Sequence, residues 1–306
     1  MSDLYEITTI GFIGLGNMGS PMAKNLIGAG YRVQAFDISP DLRSAIVEFG
    51  GADTPSLAAA AAGADLVILM LPDSDVVSAV LGDADLLSAL DTGAYVVDMG
   101  SSEPLRTREL AIQLKERGVN FVDAPVSGGV SGAKDRTLTI MVGGSAQDVE
   151  RIRTPLEALG RPIHAGPIGA GHAVKALNNL LSATHFWVTS EAIIAGQRFG
   201  LDPEVMLSIF NGSTGKSGST EIKWPKYVIP ETYNSGFKLR LMLKDIRIAV
   251  ELAEKSGFPI ELGADVVELW KRAAADLPEE ADQTEIARWL EGARSDSPTI
   301  DRQGGQ

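Results

Sequence analysis

The sequence predicts an α/β chain: an N-terminal, doubly wound, mostly parallel sheet followed by a second domain built only of helices. Three observations predict it. The apolar run Thr8-Thr-Ile-Gly-Phe-Ile13 leads into a glycine-rich turn and then a helical pattern. Buried-strand runs and helical stretches then alternate as far as Gly166-Pro167, an alternation that builds a largely parallel sheet with helices on both faces. Beyond Pro167 no clear strand pattern returns.

The first turn reads Gly14-Leu15-Gly16-Asn17-Met18-Gly19, with Pro21 to Ile27 helical behind it. This is the strand, turn and helix order of a dinucleotide fingerprint. Gly14 permits the tight turn, Gly16 lets the backbone approach a pyrophosphate, and Gly19 allows close helix packing. The helix N-terminus offers its N–H groups to phosphates. A glycine fingerprint alone is a weak signal, but a second strand, Arg32-Val-Gln-Ala-Phe-Asp37, ends in a carboxylate at about the ~20-residue offset where an acid takes the adenosine ribose hydroxyls. The charge of Asp37 opposes a ribose phosphate, so NAD is favoured over NADP, while Ser39 and Arg43 stand near enough to hold a phosphate if Asp37 turned away.

Pro40 to Phe49 reads as a helix, and Thr54-Pro55 as the cap and first turn of an alanine-rich one. Asp65 to Met70 and Tyr95 to Asp98 read as strands, each with a loop at its carboxyl end: Leu71-Pro72-Asp73-Ser74 and Gly100-Ser101-Ser102. Ligands of such sheets bind at those ends, so both loops are expected beside the nicotinamide. A helix from Glu103 to Arg117 and strands at Asn120 to Asp123 and Leu138 to Val142 complete the alternation. Between those strands, Ser127-Gly128-Gly129 presents successive backbone N–H groups and a hydroxyl, a nest suited to a carboxylate.

From Gly171 to Phe199 one long amphipathic helix is predicted, too polar to cross a membrane. It places Lys175 and Asn179 four residues apart on one face. A desolvated lysine, its pKa drawn down from about 10.4, exchanges protons with a substrate hydroxyl; a solvated lysine beside a capping asparagine is the plainer alternative. Further helices are expected over Asp202 to Phe210, Leu239 to Ser256, Ile260 to Ala275 and Gln283 to Gly292. The domains are therefore drawn as residues 1–167 for the dinucleotide, 168–294 for substrate and oligomerisation, and a polar tail over 295–306 expected to be disordered.

Composition narrows the partners. A formal net charge of −13 over 306 residues argues against nucleic acid and anionic membranes. Zero cysteines exclude disulfides, thiolate catalysis and thiolate metal sites, and no metal is expected. Met1 to Glu6 lacks the basic and apolar regions of a signal peptide, and Leu57 to Leu71, interrupted by Asp65, is too short to span a bilayer. A cytoplasmic protein is expected.

Four of these segments, in order, resemble the β-hydroxyacid dehydrogenase family, whose members include 3-hydroxyisobutyrate dehydrogenases and tartronate semialdehyde reductases. Gly11 to Gly19 is similar to its cofactor signature, Asp123 to Gly129 to its substrate signature and Gly171 to Asn179 to its catalytic one; Phe237 to Asp245 is the fourth. The resemblance implies a Rossmann-type first domain and reversible hydride transfer between nicotinamide and a small 3-hydroxyacid, in a homodimer or homotetramer. It implies Lys175 as general acid/base, Asn179 beside the substrate, Ser127, Gly128 and Gly129 on the carboxylate, and Leu71, Ser101 and Lys244 along the cofactor. Gly100-Ser101-Ser102 departs by one place from the serine pair of many members, which leaves open which serine faces the nicotinamide. Lys216, in the polar segment after Asn211, is an extra cation for a doubly charged substrate or an exposed loop lysine. Imine reductases share the two-domain plan but usually lack the lysine, and non-enzymatic dinucleotide-binding relatives typically lose it as well.

Overall fold

A computed structural model describes residues 6–293. The tail expected over 295–306 lies outside the described residues. Two compact units divide between Leu177 and Asn178, within one long helix and beyond the change of texture at Pro167.

The first unit alternates as its hydrophobic pattern requires. In chain order it holds β1 (Thr9–Ile13), α1 (Gly19–Gly28), β2 (Arg32–Phe36), α2 (Pro40–Val47), β3 (Ala52–Asp53), α3 (Leu57–Ala61) and β4 (Leu66–Leu69). There follow α4 (Ser74–Leu81), α5 (Ala84–Ala89), β5 (Tyr95–Asp98), α6 (Pro104–Glu116), β6 (Asn120–Asp123) and β7 (Val126–Ser127). α7 (Gly129–Asp135), β8 (Leu138–Gly143), α8 (Ala146–Glu157), β9 (Gly160–Gly166) and the start of α9 (Ala170–Phe199) complete it. β1 and β4 are buried along their whole length, which is why they read as unbroken apolar runs rather than alternating ones.

The sheet runs in the order β3-β2-β1-β4-β5-β6-β8-β7, with β9 added beside β8. All pairings from β3 to β6 are parallel. β6 and β7 meet β8 antiparallel. From β1 the chain goes outward to β2 on one side and returns to β4 on the other, so the carboxyl ends of β1 and β4 flank a topological switch point, the usual ligand crevice of a doubly wound sheet.

Two local readings differ from expectation. β9 lies parallel to β8, in register from Leu138↔Gly160 to Val142↔His164. Gly160-Arg-Pro-Ile-His-Ala-Gly166 is an edge strand with no fully buried residue, so it carries no apolar alternation to announce it. The alanine-rich helix is capped not by Thr54 but by Ser56, whose side chain accepts from the Ala59 N–H, while the Thr54 hydroxyl donates to the Ala35 carbonyl on β2.

The second unit, among the described residues, contains helices and one isolated bridge between Lys238 and Asp282. To the remainder of α9 it adds α10 (Pro203–Asn211), a π-helix over Ser219–Val228, α11 (Leu239–Lys255), α12 (Glu261–Asp276) and α13 (Glu285–Ala293). Its core packs Phe186, Trp187, Trp224, Ile246, Trp270 and Ile286. The π-helix was not expected. It is held at Trp224, which is buried and donates its indole N–H to Ser190 Oγ at 3.2 Å.

Candidate active site

At the end of β1 two glycines are demanded by the fold. A Cβ on Gly14, whose φ is +99°, would stand 2.4 Å from the Met70 carbonyl oxygen, and one on Gly19 would stand 1.9 Å from that of Gly14. Gly16 differs, because a Cβ there would meet no protein atom within 4 Å. Its smallness serves no packing need of the protein, as fits a backbone cradle approached by a pyrophosphate. Leu15 turns its side chain wholly into the core and gives its N–H to Asp37 Oδ2 at 2.7 Å. Asn17 is exposed and Met18 half-buried, at the entry to α1.

Asp37 is clamped on both oxygens, since Oδ1 accepts from the Ser39 N–H at 2.8 Å. It therefore does not turn away. Arg43 is engaged too: Nε pairs with Asp53 at 2.9 Å and a terminal nitrogen donates to the Asp37 carbonyl at 2.8 Å.

Across the switch point, the loops after β4 and β5 touch. A Cβ on Gly100 would lie 2.6 Å from the Leu71 carbonyl oxygen. The Glu103 N–H reaches Ser74 Oγ at 2.8 Å. Asp98, fully buried at the end of β5, accepts from the Gly100 N–H at 2.9 Å and from Ser102 Oγ at 2.6 Å. Ser102 is thus a buried strut of the loop. Ser101 and Leu71 are half-buried and Pro72 is exposed on the same rim, so of the two serines Ser101 is the one turned toward the surface.

Asp123, at the end of β6 and fully buried, ties this sheet to α9. Its Oδ1 accepts from the Gly169 N–H at 2.6 Å and its Oδ2 from the His172 N–H at 2.8 Å, so a remote carboxylate takes two of the donors that the helix start leaves open. Burial pushes its carboxyl pKa up, opposed by the charge of His172 and by those two N–H donors. The His172 ring is buried beside it, with Nδ1 2.8 Å from Thr107 Oγ1 and Nε2 3.6 Å from Asp98 Oδ2. The same Thr107 hydroxyl lies 3.1 Å from the Glu103 carbonyl, so it links the imidazole to the start of α6. Lys175, three residues beyond His172, is 9% exposed. Ser127 closes β7, paired with Thr139, and Gly128 (φ +134°) and Gly129 (φ +63°) follow in conformations that favour glycine.

Within the second unit, Asn179 is buried and donates from Nδ2 to Asp245 Oδ2 at 2.6 Å. The Asp245 Oδ1 pairs with Lys244 Nζ at 3.2 Å, so α9 and α11 share one acid between an amide and an ammonium. Lys216 pairs with Glu221 at 2.8 Å with both side chains about half exposed, a surface ion pair. Asp98, Asp123, His172 and Thr107 were not singled out for these roles; the last three act through hydrogen bonds between distant segments. Four polar or charged residues adjoining signature loops were the available sign.

This geometry is that of a known group. Residues 9–194 match the family described as the NAD binding domain of 6-phosphogluconate dehydrogenase. Residues 169–290 match the one described as NAD-binding of NADP-dependent 3-hydroxyisobutyrate dehydrogenase. The 2-(hydroxymethyl)glutarate dehydrogenase of Eubacterium barkeri is 38% identical, over 87% of this chain and 89% of its own. The chain belongs to the β-hydroxyacid dehydrogenase family. A 3-hydroxyisobutyrate dehydrogenase of Pseudomonas aeruginosa is 39% identical, over 84% of this chain and 89% of its own. The solved 3-hydroxyisobutyrate dehydrogenase of Mycobacterium tuberculosis, with L-serine, superposes with a TM-score of 0.87 at 33% identity, over 93% of this chain and 99% of its own. As a β-hydroxyacid dehydrogenase, the protein is a hydride-transferring oxidoreductase of CH–OH groups, its cofactor NAD, with NADP named by the second match. No helix among the described residues is long and apolar enough to cross a membrane.

The two kinds of glycine should separate on substitution. Gly16→Ala is expected to keep the unfolding free energy within ~0.5 kcal/mol while weakening NAD binding about tenfold or more, ~1.4 kcal/mol. Gly19→Ala is expected to lose ~1–3 kcal/mol of stability through overpacking. Denaturant unfolding and calorimetric NAD titration check both; equal stability loss in the two variants would contradict the assignment of Gly16 to the cofactor.

Proposed function

We propose that the protein oxidises the hydroxyl of a small 3-hydroxyacid, or reduces its semialdehyde, with Lys175 as general acid/base. The observation that carries the reading is a lysine only 9% exposed, near the start of a helix whose first turn is tied down by the buried Asp123 carboxylate. Anchoring at Asp123 limits how far that amine wanders. Bound NAD supplies the hydride acceptor. In oxidation the neutral Lys175 amine takes the hydroxyl proton as the C3 hydride departs; in reduction its ammonium returns a proton to the developing alkoxide. Asn179, held through Asp245, steadies the substrate near the amine, while the Ser127 hydroxyl and the Gly128 and Gly129 N–H groups hold its carboxylate.

On the cofactor side, Gly14, Leu15, Gly16, Asn17, Met18 and Gly19 form the pyrophosphate turn. Asp37 takes the adenosine ribose, with Leu71, Pro72, Ser101 and Lys244 along the nicotinamide. The clamp on Asp37 and the pairing of Arg43 with Asp53 support NAD over NADP. We assign residues 1–167 to the dinucleotide and 168–294 to substrate and assembly. A cytoplasmic homodimer or homotetramer completes the proposal and is tested by light scattering.

Lys175→Met keeps the apolar stem and removes the ionisable nitrogen. It is expected to fold and bind NAD while kcat on the best hydroxyacid falls ~10²–10⁴-fold, about 3–5 kcal/mol of barrier. Nicotinamide absorbance reads the rate, and a folded variant keeping more than about a tenth of the parent kcat would sink the role.

The parent enzyme should show the higher kcat/KM with NAD, and Asp37→Asn should shift the preference toward NADP. A parent that favours NADP about tenfold, ~1.4 kcal/mol, would contradict the reading of Asp37.

A further inference from the structure

His172 is a buried titratable residue to which the reaction above gives no part. It sits on the opening turn of α9, 1% exposed, and every group around it belongs to the first unit. Asp123 takes its backbone N–H, which any residue would offer, so the choice of an imidazole needs another reason. The ring stands where three segments meet. Its Nδ1 is 2.8 Å from Thr107 Oγ1 on α6 and 3.9 Å from Asp123 Oδ2 at the end of β6, while Nε2 faces Asp98 Oδ2 at the end of β5.

That last approach falls short. At 3.6 Å it lies outside hydrogen-bonding range, and Nε2 is left buried with no partner. A buried ring nitrogen without a partner is costly, and an apolar side chain would fill the same space without that cost. A shift of about 0.4 Å would bring the pair to the ~3.2 Å outer limit of a hydrogen bond.

What such a shift would connect is set by the groups on either side. Asp98 is attached to the loop after β5, since Oδ1 accepts from the Gly100 N–H and Oδ2 from Ser102 Oγ, with Ser101 between them on the rim. Movement of that loop carries the carboxylate with it. His172 is attached to the start of α9, where Lys175 follows it at the i,i+3 spacing of neighbours on a helix surface.

We propose that His172 is a positioning residue that couples the loop after β5 to Lys175. When NAD settles against Gly100, Ser101 and Ser102, Asp98 Oδ2 closes on the imidazole, Nε2 donates to it, and the start of α9 is held more tightly. Cofactor occupancy then sets the lysine, and by linkage the closed junction also tightens NAD. The inference rests on the cofactor and lysine assignments above and adds how the site is regulated.

Hydrogen–deuterium exchange with and without saturating NAD tests it on the parent, His172→Leu, His172→Gln and Thr107→Val, each shown folded by circular dichroism. In the parent, NAD is expected to slow exchange over residues 169–176 about fivefold or more. His172→Leu should still show NAD protection over residues 14–19, while exchange over 169–176 becomes indifferent to NAD and kcat falls about tenfold. His172→Gln, whose amide nitrogen can donate in place of Nε2, should restore most of both. Thr107→Val keeps the ring and removes its Nδ1 partner, so it should fall between parent and leucine variant, and it decides the matter by the same readout if the leucine variant does not fold.

NAD protection over 169–176 that persists in His172→Leu, or that is missing from the parent, overturns the proposal. So does a glutamine variant as impaired as the leucine one, because packing and not the polar link would then be at stake. A parent in which NAD protects neither 14–19 nor 169–176 strikes the cofactor assignment itself, so the two readings fail by different signs.

Discussion

The buried carboxylate of Asp123 is the constraint on which the first unit's chemistry depends. Both oxygens are spent on the opening of α9, and that commitment reaches into the sequence around it. A Cβ on Gly143 would lie 2.3 Å from Asp123 Oδ1, and one on Gly171 would lie 2.2 Å from the Met141 carbonyl and 2.8 Å from Asp123 Oδ2. The glycines of the β8 end and of the start of α9 are therefore small because the carboxylate and β8 stand against them. A buried acid is costly unless its lone pairs are met, and meeting them with helix N–H groups satisfies the helix start in the same stroke. Lys175 inherits its position from this arrangement.

A second acid does similar service one strand away. Asp98 orders the loop after β5 through Gly100 and Ser102, and His172 lies between Asp98 and Asp123, bonded to Thr107. The loop after β5 and the start of α9 are in this way braced by one polar network inside an apolar unit. Such networks are rigid when satisfied and fragile when a member is lost. In the second unit the Asn179–Asp245–Lys244 group repeats the device on a smaller scale, one carboxylate orienting an amide and an ammonium on two helices.

Much of this was legible from residue pattern. The mostly parallel sheet, the glycine turn with Asp37, the long helix bearing Lys175 and Asn179, and the helical second unit follow from periodicity and from motif context. The family then follows from four signatures in order. What escaped did so for physical reasons. β9 is an exposed edge without apolar alternation, and its partner β8 supplies the ladder. The π-helix depends on Trp224 packing and on Ser190, which lies far away in sequence. The roles of Asp123 and His172 exist only through contacts across dozens of residues, where local pattern is silent. Lys216 and Lys223 look alike in sequence; only the fold pairs one with Glu221 and points the other at α9.

Asp123 holds the start of α9, and with it Lys175, in place. Hydrogen–deuterium exchange followed by mass spectrometry across residues 169–176, comparing the parent with Asp123→Ala, tests it most directly. Losing two charge-assisted hydrogen bonds should raise exchange in that segment roughly ten- to hundredfold while β1 and β4 stay protected, with a parallel fall in kcat. Exchange and kcat both unchanged in a folded Asp123→Ala protein would contradict the account.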